Sequence, residues 1–222
     1  MIPGARLVML GRQGAGKGTQ CVRLSRHYVV PHISTGDILR AAVREATEFG
    51  KKAKAIMDAG ELVPDDIMVG IVDERLTRDD TRSRGFILDG FPRTVGQASA
   101  LLDITQPRGI DMVVNLEVPR DVVLVRLASR RVCTDCGANY STERPPRYGT
   151  TCDVCGGDVI QREDDTVEAI TRRLDLYDKE TSPLIEWFEG QDLLIEVDGH
   201  GDPDAVTGRL IDAIDRVRES RR

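Results

Sequence analysis

The stretch GRQGAGKGTQ, from Gly11 to Gln20, decides the fold, because it follows a short apolar run and precedes a helical pattern. The run ARLVML (5–10) predicts a buried strand, and TQCVRLSRHY (19–28) predicts a helix. Glycines allow positive φ and let backbone N–H groups approach an anion closely, and a lysine adds a point charge at the helix N-terminus. Strand, glycine-rich loop, lysine and helix together predict a phosphate-binding loop.

The residue after the lysine is unusual for such a loop. Gly18 stands where most phosphate loops have a Ser or Thr that binds magnesium, and Thr19 supplies a hydroxyl one residue later. We therefore expect Mg²⁺ to be held mainly through phosphates and water. The predicted phosphate contacts are Gly14, Ala15, Gly16, Lys17, Gly18 and Thr19.

Composition limits the class of protein. The chain has 222 residues, of which 40% are hydrophobic and 31% charged, as in ordinary globular proteins. A formal net charge of −6 argues against nucleic acid or an anionic membrane as a general partner. The sequence shows no apolar run near the roughly 18 residues of a membrane span and no signal-peptide pattern. We expect a cytoplasmic protein.

Further apolar runs predict more buried strands: GFILD (85–89), DMVVNLEV (111–118) and DLLIEV (192–197). They are almost continuously hydrophobic, which is typical of a parallel sheet covered on both faces. Helical patterns alternate with them, namely TGDILRAAVREA with a cap at Thr35 or Gly36, PDDIMVGIVDERLT, PRDVVLVRLASRR and DPDAVTGRLIDAIDRVRES. This alternation predicts an α/β fold with a doubly wound parallel sheet.

Two regions interrupt the alternation. Residues 34–63 carry two consecutive helical patterns, and residues 132–165 are rich in Gly, Thr, Pro and Cys without an apolar period. Each has too few apolar residues to fold alone. We predict a core made of 1–33, 64–131 and 166–222, with 34–63 and 132–165 as insertions.

The second insertion contains two C-x-x-C pairs, Cys133 with Cys136 and Cys152 with Cys155. This spacing predicts a structural zinc site, because four thiolates close a tetrahedral shell and leave no position for a substrate. Redox-active dithiols are one alternative, and a zinc ribbon that binds nucleic acid is another. Cys21 is expected to be a small packed residue.

A series of motifs resembles the adenylate kinase family. The motifs are GRQGAGKGTQ, ISTGDILRAAV, IMDAGELVPD, GFILDGFPRT followed by Gln97, RRVC, and REDD ahead of RRLDLYD, in family order along essentially the whole chain. The resemblance implies transfer of the terminal phosphoryl group of Mg-ATP to AMP, giving two ADP. It also implies an AMP-binding domain at 34–63, a zinc-type lid at 132–165 and a monomer.

The resemblance also implies roles for individual residues. Besides the loop, ATP would contact Arg126, Arg130, Asn139, Tyr140 and Gly201. AMP would contact Thr35, Arg40, Met57, Glu61, Leu62, Val63, Gly90, Phe91, Pro92, Arg93, Gln97, Arg162 and Arg173. The residues expected to act on the transferred group are Lys17, Arg93, Arg130, Arg162 and Arg173. Cations suit this reaction because it brings several negative charges together.

Acidic residues and histidines complete the predicted site. Asp89 ends the strand GFILD, where a carboxylate can organise magnesium and its waters, although a turn-forming Asp is the alternative. Asp164 and Asp165 are expected to orient the arginines or to draw the lid shut, and a solvated acidic turn is the alternative. The acceptor is itself a phosphate with a second pKa of about 6, so no general base is needed. The histidines at 27, 32 and 200 are therefore expected to be structural or surface groups.

The Gln97 amide can accept from an exocyclic amine and donate to a ring nitrogen, which favours adenine as the acceptor base. Other nucleoside-monophosphate kinases, for CMP, UMP or GMP, stay open, as does a non-enzymatic nucleotide sensor. Three features depart from the family pattern: Gln13 replaces a common Pro, Gly96 replaces the Pro of TxPQ, and the lid arm STERPPR is short and polar. The tail RVRESRR is expected to be a frayed helix end.

Overall fold

The computed structural model describes residues 4–45, 48–59, 61–162 and 165–221. Two sheets contain all its named strands, which are β1 (Ala5–Leu10), β2 (His32–Ser34), β3 (Gly85–Asp89), β4 (Met112–Glu117), β5 (Arg130–Cys133), β6 (Asn139–Ser141), β7 (Val159–Ile160) and β8 (Leu194–Asp198). The main sheet is parallel, with the order β2-β3-β1-β4-β8, and the small antiparallel sheet has the order β6-β5-β7. The predicted parallel α/β sheet is thereby confirmed.

Helices connect the strands: α1 (Lys17–Tyr28), α2 (Thr35–Arg44), α3 (Glu48–Asp58), α4 (Asp65–Leu76), α5 (Asp79–Arg84), α6 (Val95–Ile104), α7 (Arg120–Ser129), α8 (Val167–Leu176), α9 (Pro183–Glu189) and α10 (Pro203–Ser220). The predicted cap of α2 at Thr35 or Gly36 is wrong. Ser34 caps this helix, because its hydroxyl accepts from the Asp37 backbone N–H at 3.2 Å and Thr35 is already helical.

The strand β1 forms the centre of the main sheet. Leu7 pairs with Ile87 of β3 on one side and with Met112 of β4 on the other, and all three side chains are fully or almost fully buried. One hydrophobic cluster covers each face of the sheet. The carboxyl ends of β1 and β3 therefore open at one edge of a rigid core, which is where ligands bind in such sheets.

Three features differ from the sequence expectations. β2 is a strand of only three residues, and no apolar run in the sequence predicts it. A π-helical turn, Tyr177–Thr181, joins α8 to α9. The tail is not frayed up to Arg221, since α10 continues to Ser220, Val217 packs against the core, and Arg221 donates to the backbone oxygens of Asp111 and Asp192.

The two predicted insertions have different contents. Within 34–63, α2 and α3 follow one another with no strand between them in the described residues. The region 132–165 contains most of the small sheet, whose first strand starts at Arg130. Of the helices described here, none combines the length and apolar character needed to cross a membrane.

Candidate active site

The phosphate loop lies between β1 and α1, as predicted. Gly16 precedes α1 with φ 101°, and Gly11 and Gly14 also have positive φ, at 137° and 82°. A Cβ on Gly11 would lie 2.6 Å from the Leu116 backbone oxygen, and one on Gly14 would lie 2.8 Å from Leu127 Cγ. These two glycines are therefore required both by conformation and by the close approach of β4 and α7.

Lys17 begins α1 and points back into the loop. Its Nζ donates to the backbone oxygens of Gly11 at 2.6 Å and Arg12 at 3.0 Å. Burial lowers the pKa of Lys17, while the nearby Asp89 carboxylate opposes this shift. Lys17 is the first residue of α1, and the backbone N–H groups of a first helical turn can bind an anion.

Asp89 ends β3, next to the phosphate loop. A Cβ on Gly18 would lie 3.7 Å from Asp89 Oδ2, so the glycine leaves the carboxylate facing the start of α1. Burial alone raises the pKa of Asp89, but His32 and Lys17 outweigh it, and the pKa lies below its ordinary value. An ionised carboxylate here can organise magnesium-bound water, which keeps the predicted role open.

His32 was expected to be structural or on the surface, yet its Nε2 lies 3.7 Å from Asp89 Oδ2. This nitrogen is buried and has no hydrogen-bond partner among the described residues. No pattern in the sequence indicates this contact, because it depends on the parallel pairing of the short strand β2 with β3.

The segment after β3 follows the strand that lies beside β1 and its loop. Gly90 has φ 84°, and a Cβ there would lie 2.8 Å from Thr35 Oγ1. Phe91 is fully buried and precedes a cis peptide bond to Pro92. Arg93 Nε donates to the Gly90 backbone oxygen at 2.9 Å. Burial lowers the pKa of the Arg93 guanidinium, and the nearby cation of Arg173 acts in the same direction.

Gln97 is buried on α6, and its amide is oriented by two hydrogen bonds. Oε1 accepts from the Arg93 backbone N–H at 2.8 Å, and Nε2 donates to Asp65 Oδ1 at 2.7 Å. Asp65 also accepts from the Thr94 hydroxyl at 2.7 Å. An amide can accept a second bond on oxygen and donate a second from nitrogen, so capacity for a base edge remains. Sequence reasoning missed Asp65.

The other residues predicted to bind AMP lie on α2, α3 and the segment after them. Arg40 pairs with Asp37, one turn earlier on α2. Val63 is buried, Met57 and Leu62 are half-buried, and Glu61 is exposed. The Met57 backbone oxygen accepts from Arg173 Nη2 at 3.1 Å. This region of the chain therefore contacts α8 in the structure.

Arg130 and Arg173 meet at one buried carboxylate. Arg130 binds Asp165 through Nε–Oδ2 at 2.8 Å and Nη2–Oδ1 at 2.5 Å, and Arg173 Nη1 lies 3.9 Å from Oδ1. The Asp165 side chain is completely buried. Asp165 therefore orients arginines and is not part of a solvated turn, while a role in closing the lid stays a prediction and Asp164 lies outside the described residues.

Two further arginines are predicted to contact the nucleotides. Arg126 Nη1 donates to the Ala15 backbone oxygen at 3.1 Å, which places it over the phosphate loop. Arg162 is half-buried, and its backbone oxygen accepts from the Asp165 N–H at 3.1 Å. Arg126 thus contacts the loop directly, Arg130 and Arg173 share Asp165, and the Arg162 backbone contacts the same aspartate. A site of this kind can surround a phosphoryl group with cations.

The four cysteines of the C-x-x-C pairs come together in the second insertion. Their sulfurs all lie within 4.8 Å of one another, with Cys133 Sγ–Cys155 Sγ at 3.4 Å and Cys136 Sγ–Cys152 Sγ at 3.6 Å. A tetrahedral Zn²⁺ with bonds of about 2.3 Å needs sulfurs about 3.8 Å apart. The donor set and spacing fit zinc.

Tyr140, predicted to contact ATP, reaches this sulfur cluster. Its hydroxyl lies 3.3 Å from Cys152 Sγ and accepts from the Asp153 N–H at 2.8 Å. Hydrogen bonds, the strongest from the Tyr140 hydroxyl and others from backbone N–H groups, lower the pKa of Cys152 to about 6. Asn139 is exposed on β6, and Gly201, with φ 108°, is exposed in the loop between β8 and α10. The roles of these residues toward ATP stay predictions.

The π-helical turn is also part of the site and was not foreseen. Asp178 accepts from Arg12 Nη2 at 2.9 Å and from Arg120 Nη1 at 2.6 Å. The Thr181 hydroxyl donates to the Arg93 backbone oxygen at 3.0 Å. This one turn therefore contacts both the phosphate loop and the segment that carries Arg93. Short π segments often occur at functional sites.

A phosphate loop, a carboxylate on the adjacent strand and converging arginines define a phosphotransferase of the phosphate-loop class. Comparison with known proteins narrows this class. The family model described as adenylate kinase matches residues 9–193. The chain is 51% identical over 203 residues to the adenylate kinase of Methanosarcina mazei, covering 90% of this chain and 94% of that one.

Other relatives agree. The chain is 47% identical to the adenylate kinase of Caldicellulosiruptor bescii over 212 residues and 49% identical to that of a Geobacter species over 211 residues, each match covering 94% of this chain and 98% of the relative. The chain belongs to the adenylate kinase family, whose members are phosphotransferases that use Mg²⁺ with ATP.

Proposed function

We propose that the protein transfers the terminal phosphoryl group of Mg-ATP to AMP, giving two ADP, and so balances adenine nucleotides. The observation that carries this proposal is the pairing of the phosphate loop after β1 with the segment Gly90–Arg93 after β3. These segments follow adjacent parallel strands, so a donor phosphate and an acceptor phosphate would face each other across one cleft.

The chemistry follows from this placement. An oxygen of the AMP phosphate attacks the terminal phosphorus of ATP, and the bond from that phosphorus to the bridging oxygen breaks, which releases ADP. No proton has to be removed, because the acceptor is mostly dianionic at neutral pH. Lys17 and the loop would hold the donor phosphates, Arg40 and Arg93 the AMP phosphate, and Arg130, Arg162 and Arg173 the group in transfer.

Asp89 would orient Mg²⁺ through its water ligands, because Gly18 offers no hydroxyl that could bind the ion directly. Thr35, Gln97 and the segment Glu61–Val63 would bind the adenine of AMP. We propose Zn²⁺ at the four cysteines as a structural ion. It would stabilise the small sheet, whose own buried cluster consists of Cys133, Cys152 and Val159.

A cytoplasmic monomer whose only substrates are nucleotides completes the proposal. The acceptor is tested by incubating the purified protein with Mg-ATP and each of AMP, CMP, UMP and GMP, while ADP formation is followed. We expect AMP to give the largest kcat/KM, because the Gln97 amide matches the adenine edge. Equal rates with the four acceptors contradict the choice of AMP, and no ADP with any of them contradicts the enzyme assignment.

A further inference from the structure

Gln13 lies in the phosphate loop, where the resembled family commonly has Pro, and its side chain reaches the arginine pair Arg130 and Arg173. With the amide oriented so that its oxygen faces the two guanidinium groups, Oε1 lies 3.2 Å from Arg130 Nη2 and 3.0 Å from Arg173 Nη1. This orientation is assigned from the hydrogen bonds, because the reverse one sets the amide nitrogen against two donors.

The arginine pair is thus held from two sides. Asp165 provides a buried carboxylate to both guanidinium groups, bidentate to Arg130 and at 3.9 Å from Arg173. Gln13 provides a neutral oxygen that accepts from both. Neither acceptor removes the charge of an arginine, because the guanidinium group stays protonated in proteins, so both side chains can attract a phosphoryl group.

The three side chains belong to segments that are far apart in sequence. Gln13 follows β1, Arg130 is the first residue of β5, and Arg173 lies on α8. Arg173 also donates to the Met57 backbone oxygen, in the region predicted to bind AMP. The Gln13 oxygen therefore connects the donor-phosphate loop with Arg130, which lies just before the second insertion, and with Arg173, which contacts the first.

We infer that Gln13 is a positioning residue, which aims Arg130 and Arg173 at the phosphate loop before the transferred group occupies the site. The inference rests on the proposed function. An amide oxygen is a weaker acceptor for guanidinium than a phosphate oxygen, so it orients the arginines and gives way when the phosphate arrives. Arginines that already point at the loop need less reorganisation in the transition state.

The variant Gln13→Met tests the inference, since methionine has a similar length and removes only the amide. We expect kcat to fall about tenfold, with KM for ATP and AMP within about twofold of wild type, because the lost orientation matters most in the transition state. The unfolding temperature should stay unchanged. An unchanged kcat, or a raised KM with an unchanged kcat, overturns the inference.

Gln20→Met is the matched control. Gln20 is also a hydrogen-bonded glutamine near the loop, but its side chain contacts α10, through Pro203 at 3.0 Å and Thr207 at 2.7 Å. We expect this variant to lower the unfolding temperature and to leave kcat within about twofold of wild type. If Gln20→Met lowers kcat as much as Gln13→Met, the effect is structural and the inference fails.

A mutant cycle shows whether Gln13 acts through the arginines. In an Arg173→Lys background, the planar fork that Gln13 holds is absent, so Gln13→Met should cost threefold or less in kcat instead of about tenfold. An equal cost in both backgrounds overturns the inference. A wild-type protein that forms no ADP overturns the proposed function as well, whereas an active wild type with an equally active Gln13→Met enzyme overturns this inference alone.

Discussion

The two predicted insertions, 34–63 and 132–165, both have few apolar residues, and the structure packs them in different ways. The insertion 34–63 adds Leu39, Ala53 and Val63 to the hydrophobic cluster on one face of the main sheet. The insertion 132–165 forms a separate cluster from Cys133, Cys152 and Val159, with Ala138 and Tyr140 around it. The insertion 34–63 therefore extends the hydrophobic core, whereas the insertion 132–165 depends on its cysteine sulfurs for a folded structure.

The comparison predicts that substitutions in the two regions change the stability of the protein in different ways. Loss of packing in 34–63 should weaken the whole protein, because the cluster is shared with β1 and β3. Loss of the sulfur site should unfold the small sheet and leave the main sheet intact, because few apolar contacts connect them. Two of the following experiments test this difference and one tests the acceptor side of the site, and they run from the largest expected effect to the smallest.

Cys152→Ser should have the largest effect on activity. The serine hydroxyl is a poor replacement for a buried thiolate ligand, so we expect zinc content to fall from about one per chain to almost none. Phosphotransferase activity should drop roughly 100-fold, because Arg130 begins the small sheet and loses its position. Metal analysis and ADP formation measure both effects.

Val154→Ser is the control for this variant, since Val154 lies in the same turn and is 74% exposed. It should keep both zinc and activity. If Cys152→Ser instead lowers the unfolding temperature of the main sheet as strongly as a core cavity does, the two insertions do not differ as proposed.

Leu39→Ala should act on global stability. Leu39 is 7% exposed and belongs to the shared cluster, so we expect a loss of about 2–3 kcal/mol in the free energy of unfolding in one cooperative transition. Zinc content should not change. Denaturant unfolding followed by circular dichroism measures the effect, and an early separate transition for this insertion would contradict a shared core.

Asp65→Ala should have the smallest effect, confined to the acceptor. The change removes the carboxylate that orients Gln97 and Thr94, so we expect KM for AMP to rise about fivefold, with kcat and KM for ATP within about twofold. The preference for AMP over CMP should shrink. Asp66→Ala, in the same first turn of α4, is the control. A similar rise in both variants would indicate a helix-terminus effect instead.

Long, regular features could be predicted from the sequence. The strands at 85–89, 111–118 and 192–197 lie close to those of the structure, because continuous apolar runs are typical of a buried parallel sheet. β2 could not be predicted in this way, since three residues carry no period. The π-helical turn could not be predicted either. It differs from an α-helix by one extra residue in the turn, and contacts with distant parts of the chain determine where that residue is accommodated.

The site residues also fall into two groups, those that a local motif indicates and those that depend on the tertiary structure. Motif positions such as Lys17 and Arg93 could be proposed from local sequence, since the loop geometry around them is a property of short segments. The contacts of Asp65, of His32 and of Gln13 could not be proposed, because each joins residues that are far apart in sequence. Their roles depend on the strand order and on which helix faces the cleft.

The π-helical turn, Tyr177–Thr181, has a consequence for how this chain can vary in length. Successive helical residues are rotated by about 100°, so removing one residue from the turn would rotate everything that follows. Asp178 could then bind Arg12 only if Leu184 and Phe188 of α9 left the sheet face, where both are fully buried. In this segment the number of residues is constrained as strictly as their identity.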